Sequence, residues 1–69
     1  MSAYKVIEVV GTSTESWEKA GMTAINVAAE HLEDLRVAEV TAHDIHLEPG
    51  KQPIFRTKLK LSFKYHEHD

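Results

Sequence analysis

The stretch "IFRTKLKLSFKY", Ile54–Tyr65, decides how this chain folds. Apolar and polar side chains alternate along it, the period of a strand with one dry and one wet face. Phe55, Leu59, Leu61, Phe63 and Tyr65 fall on one side, and Arg56, Lys58, Lys60 and Lys64 on the other. So long and regular a strand belongs in the middle of a sheet.

Just upstream, "EPGKQP" reads as a turn, with Pro49-Gly50 as its signature. Before the turn, "RVAEVTAHDIHL" alternates again. Ala38, Val40 and Ala42 take one face, and Val37, Glu39, Thr41, His43 and Ile45 the other. Closing the turn as an antiparallel hairpin sets Leu47 opposite Ile54, with His43 near Lys58, Thr41 near Lys60 and Glu39 near Ser62. This register lays Ala38, Val40 and Ala42 beside the leucine and phenylalanine face.

At the other end, "AYKVIEVVG" (Ala3–Gly11) is rich in β-branched residues and reads as a strand. Lys5, Ile7 and Val9 share one face, and Tyr4, Val6, Glu8 and Val10 the other. "GTSTES" comes next with turn and capping chemistry, Ser13 and Ser16 both being candidate N-caps. Gly11-Thr12-Ser13 is then either a plain turn or a backbone cradle for phosphate. From Trp17 the apolar spacing becomes helical, through Ala20, Ala24, Ala28, Leu32 and Leu35, with Ile25 alongside. The small residues Ala20, Gly21, Ala24 and Ala28 suit a helix lying close to a sheet.

The expected fold is therefore α+β, in β-α-β-β order, with a three-stranded antiparallel sheet packed on one helix. Residues 1–65 form a single domain and 66–69 a flexible tail. A chain of 69 residues builds only a thin core. It has no cysteine for a disulfide or thiolate metal site, and its five histidines show no compact zinc spacing. The first strand is apolar on both faces while one helix can cover only one. Self-association is the leading source of the missing stability.

A net charge of −3 argues against a dedicated nucleic-acid binder. With no apolar run near the ~20 residues of a membrane span and no signal-like opening, the expected location is the cytoplasm. No nucleophile elbow, phosphate loop with lysine, or His-Glu-x-x-His helix is present, so no enzyme is expected. The stripe Arg56, Lys58, Lys60, Lys64 is either a solvated sheet face or a contact for phosphates and acidic ligands. Glu39 and His43 on the neighbouring strand would share that face with Lys58 as ligand-binding groups. Trp17 reads as a packing residue. His66 and His68 are either a frayed end or a metal-chelating pair. Glu33, Asp34, Glu39, Asp44 and Glu48 are oxygen donors of the kind calcium prefers, and symmetry-related copies could multiply them.

The blocks "YKVIEVVGTSTESWEKA", "LRVAEV" and "KLKLSFK" resemble the dodecins, very small β-α-β-β proteins that assemble as homododecameric hollow shells. The resemblance covers nearly the whole chain apart from the tail. It implies non-covalent binding of a flavin, riboflavin or FMN, for storage or sequestration. In flavin-binding members, aromatic rings from symmetry-related chains sandwich the isoalloxazines and a glutamine meets the ring edge. By motif the aromatic position falls on Val37 and the glutamine position on Arg56. An arginine-glycine pair of many bacterial members falls on Asp44 and Ile45. Val37 has no π face, Arg56 only donates hydrogen bonds, and Asp44 repels phosphate. The flavin site is thereby degraded, as in a branch of the family with valine at this position and a link to calcium. The readings are a flavin-like or nucleotide-like ligand, a divalent cation with Glu39 and Asp44 among its ligands, or an assembly held by salt bridges without a ligand.

Overall fold

The computed structural model describes residues 1–65. Along the chain come β1 (Tyr4–Ser13), α1 (Trp17–His31), β2 (Leu35–His46) and β3 (Ile54–Lys64). The sheet order is β1-β3-β2, and both pairings are antiparallel. The strand with the cleanest alternation is thus the central one, as its pattern requires. The residues expected to form a flexible tail, 66–69, lie outside the described residues.

Helix α1 packs on the face of the sheet that carries Leu59 and Leu61, which are 2% and 0% exposed. Ala20, Gly21, Ala24 and Ala28 form its buried stripe. Small side chains there let the helix backbone come close to the sheet, and Ile7, Val9, Ile25, Leu32 and Leu35 close the rim of the core. The tightest point is Gly11. A Cβ at this residue would lie 1.8 Å from the carbonyl oxygen of Ala20 and 2.9 Å from the Ala24 Cβ. Thr57 is the buried polar residue of this layer, and its hydroxyl donates to the Trp17 carbonyl at 2.8 Å.

The ends of the elements depart from the expected ones. Ser16 is the N-cap, its hydroxyl accepting from the Lys19 amide at 3.0 Å. Ser13 instead accepts from the Glu15 amide at 3.0 Å in a local turn. Gly11, Thr12 and Ser13 belong to β1, where they pair with Thr57, Arg56 and Phe55. Neither the plain turn nor the phosphate cradle describes them. Leu35, which continues the helical spacing, in fact opens β2. The helix stops because Leu32 turns extended and Asp34 takes a left-handed φ of 58°. The hairpin turn behaves as expected, with Gly50 at φ 75° and the Lys51 amide donating to the Glu48 carbonyl at 3.1 Å.

The largest correction concerns the β2–β3 register. Ile54 faces His46 rather than Leu47, Ala42 faces Lys58, and Glu39 faces Lys60. Two irregularities, between Leu35 and Val37 and between Val40 and Ala42, insert Arg36 and Thr41 as extra residues on β2. Each inserted residue reverses the facing of the residues before it relative to those after it. Ala38 and Val40 therefore stay on the helix side, beside Leu61 and Leu59. Ala42 moves to the outer side, while His43 and Ile45 move to the helix side, opposite Thr57 and Phe55. The Thr41 hydroxyl donates across to the Lys58 carbonyl at 3.2 Å.

The outcome is an elongated protomer. Its extents are 54 × 20 × 16 Å; the 12-residue strand alone spans ~40 Å of the long axis, against ~22 Å for the 15-residue helix. Its radius of gyration is 14.3 Å, against ~11 Å for a compact domain of this length. It exposes 5316 Å², where a compact monomer of 7.8 kDa would expose ~4,400 Å². Tyr4, Val6, Val10 and Val37 stand exposed on the side of the sheet away from the helix.

Candidate functional site

That outer side is built in rows, each with one residue from β1, β3 and β2. Pairing across β3 gives Val6–Ser62–Val37, then Glu8–Lys60–Glu39, then Val10–Lys58–Ala42, and finally Thr12–Arg56–Asp44. Alternation on β1 and β3, together with the extra residue at Thr41 that shifts β2 by one, produces this face.

The first two rows line a shallow hollow of about 510 Å³, bounded by Val6, Glu8, Val37, Glu39, Lys60 and Ser62. Val6 and Val37 supply apolar walls, and Glu8 and Glu39 bring carboxylates to either side of the Lys60 stem. The sequence marked Val37 and Glu39, offered Lys60 within the basic stripe and set Ser62 near Glu39, but missed Glu8 as a site residue. Strict alternation put Glu8 on the outer face of β1. Only the strand order reveals that it shares a row with Glu39.

At the other end, Arg56 holds Asp44 in a fork. Its Nε donates to Oδ1 at 2.5 Å and its terminal nitrogen to Oδ2 at 2.7 Å. The Lys58 ammonium stands 3.6 Å from Oδ2. The hydrogen bonds from Arg56 hold the Asp44 carboxyl below its usual range, with the charges of Arg56 and Lys58 adding to the effect and desolvation opposing it. In return Asp44 raises the pKa of Arg56. Two residues singled out as site positions are therefore each other's partners.

On the helix side, Trp17 grips the same strand. Its indole N–H donates to the Asp44 carbonyl at 3.0 Å, and its ring stacks on His43 with centroids 5.3 Å apart and planes 17° apart. Phe55 meets the indole edge-on at 5.1 Å. The expectation of a packing role for Trp17 holds. His43 is not beside Glu39 and Lys58 as a group on the polar face, because the extra residue at Thr41 turns it to the helix side. Ile45 lies on that side as well.

The remaining site residues separate into two ends of the outer face. Glu39 and Asp44 sit in rows four β3 residues apart, ~13 Å along the strand, and cannot share one cation within a protomer. Val37 and Arg56 lie six residues apart by the same measure, ~20 Å. Among the described residues, no three His, Asp or Glu side chains gather closely enough to hold a metal ion. Calcium takes six to eight oxygen ligands. Glu8, Glu39 and Ser62 offer carboxylate and hydroxyl oxygens of the right kind, and more than one protomer would be needed to complete a set.

Three antiparallel strands in the order β1-β3-β2, one helix of small residues and an open charged face define a very small β-α-β-β sheet-and-helix protein. The family model described as Dodecin matches residues 3–66, and the chain belongs to the dodecin family. Calcium dodecin of Mycobacterium tuberculosis is 42% identical over 64 residues, spanning 93% of this chain and 90% of its own. The crystal structure of that calcium-chelating antigen, described with a novel calcium-binding site, superimposes with a TM-score of 0.88 at 38% identity. It covers 99% of this chain and 97% of its own. Dodecin from Streptomyces coelicolor gives 0.89 at 34% identity, with 97% and 96% covered.

Proposed function

We propose that this chain is a non-enzymatic binding and storage protein that works as a homododecameric shell, with divalent cations, calcium above others, as the ligands of its outer sheet face. The observation that carries this reading is the hollow around Val37. At the position where the family resemblance implies a stacking aromatic, the side chain is aliphatic and Glu8 and Glu39 stand alongside. Carboxylate oxygens suit a hard cation, and a β-branched aliphatic side chain offers a flat ring no π face to pair with. The calcium-named relative, 42% identical, supports the same choice. The elongated shape and ~900 Å² of excess surface support assembly, since a lone protomer leaves its outer face and both sheet edges uncovered.

A second reading keeps the ligand class that family membership suggests, a flavin such as riboflavin or FMN. Val6 and Val37 favour it, as apolar walls that a flat ring could cover. The Asp44–Arg56 pair opposes it, because the guanidinium at the glutamine position is already engaged.

Native mass spectrometry of freshly purified protein tests both readings, reporting the subunit count and any mass that travels with the shell. Calcium should raise the melting temperature in a concentration-dependent way. Indifference to calcium and chelator alike would remove the cation reading, and quenching of riboflavin fluorescence at micromolar protein would favour the flavin. A monomer by light scattering at neutral pH would refute the assembly.

A further inference from the structure

The basic stripe of β3 is not uniform. Arg56 and Lys58 converge on a single point, which Lys60 and Lys64 do not join. That point is filled by the carboxylate of Asp44. We infer that Arg56 and Lys58 form an anion subsite for phosphate-type groups, and that Asp44 is its tethered occupant, setting how weakly an external anion binds.

The geometry supports this in four respects. A guanidinium fork with an ammonium beside it is the arrangement that recognises a carboxylate or phosphate through two parallel hydrogen bonds and a point charge. Two cations meet one carboxylate, so the cluster keeps a net positive charge after Asp44 is counted. Thr12, the β1 neighbour of Arg56, places a hydroxyl in the same row. In the single protomer the side chains of Arg56, Asp44 and Lys58 are 37%, 34% and 45% exposed.

Displacement of Asp44 requires little rearrangement. Its backbone carbonyl is held from the opposite side of the sheet by the Trp17 indole. The carboxylate can therefore swing outward by side-chain rotation while the strand, Arg56 and Lys58 stay in place. Competition from an exposed ion pair weakens an external anion by only about fivefold. A phosphate ester would bind here weakly in the native chain, and its affinity would be set by Asp44. This inference does not depend on which ligand occupies the hollow at the other end of the face.

Inorganic phosphate is the probe, titrated into the assembled protein at constant ionic strength and monitored by calorimetry and by the melting temperature. Asp44→Asn should bind phosphate up to about fivefold more tightly than the native chain. Adding Arg56→Gln to that variant should abolish the gain. Equal affinity in the native chain and Asp44→Asn would overturn the inference, as would full retention of the gain with Arg56→Gln. Should Asp44→Asn fail to assemble, Asp44→Ser carries the same expectation. Lys58→Gln in the otherwise native chain should then lower phosphate affinity, and no change there would also overturn it.

Discussion

Gly11 of β1 and Ala20 of α1 touch backbone to backbone, so closely that a methyl group on Gly11 would overlap the Ala20 carbonyl oxygen. The obstacle is main chain rather than a side chain that could rotate away. Gly11→Ala must push the helix off the sheet or bend the strand. We expect a loss of about 3 kcal/mol or more, at the upper end of overpacking penalties. Gly21→Ala is the control, since its added Cβ would meet only Thr57, at 3.5 Å. Denaturant unfolding at fixed protein concentration separates the two, and equal stability would disprove the close contact.

Trp17 joins the helix start to β2 by a stack on His43 and a hydrogen bond to Asp44. Trp17→Phe keeps a ring but loses the donor, and should cost about 1 kcal/mol. Trp17→Ala also loses the ring contacts and should cost about 2–4 kcal/mol. Because this is the single tryptophan of the sequence, its fluorescence reports its surroundings directly. His43→Ala should change the emission of the folded protein. An unchanged spectrum would argue against the stack.

Two carboxylates make acid the vulnerable side of the pH range. Asp44, hydrogen-bonded by Arg56, and Glu48, hydrogen-bonded by Lys51 and then His46, both titrate below their ordinary values of 3.8 and 4.5. A carboxylate with a depressed folded-state pKa contributes stability above its unfolded value and loses it as pH falls through the folded one. For these two groups, thermal stability should hold from neutral pH to about 5 and decline below about 4. Asp44→Asn should flatten the decline. A variant that falls as steeply as the native chain would show that Asp44 contributes nothing to it.

Flavin affinity should be recoverable by restoring the missing π surface. Val37→Trp places an indole on the outer face, where valine is 57% exposed in the protomer. Combined with Arg56→Gln, it should quench riboflavin fluorescence where the native chain does so weakly or not at all. Each aromatic contact adds about 0.5–1.5 kcal/mol. If the double variant leaves riboflavin emission untouched, the hollow is not a remnant of a flavin site.

Much of this arrangement is legible in the sequence. Alternation through Leu59, Leu61 and Phe63 marks the central strand, and the Ala20–Ala24–Ala28 spacing marks the helix face that meets it. The site is legible only in part. Val37 and Glu39 do lie together on the outer face, but nothing in the linear pattern connects Glu8 with them. Simple alternation puts His43 on the wrong face, and it does not reveal the partnership of Asp44 with Arg56.

The sequence by itself determined the order of elements, the helix stripe, the Pro49-Gly50 turn and the outward facing of β3's cations. Those depend on local periodicity and on what single residues tolerate, which a linear pattern records. Tertiary structure alone decided which side chains meet. In "TAHDI" no strong hydrophobic alternation fixes the facing of the strand. The extra residue at Thr41 is therefore settled by pairing with β3 and by the Trp17 indole, which draws His43 inward and leaves Asp44 facing Arg56. Likewise Glu8 and Glu39, remote in sequence, become neighbours of one lysine only because β3 lies between β1 and β2.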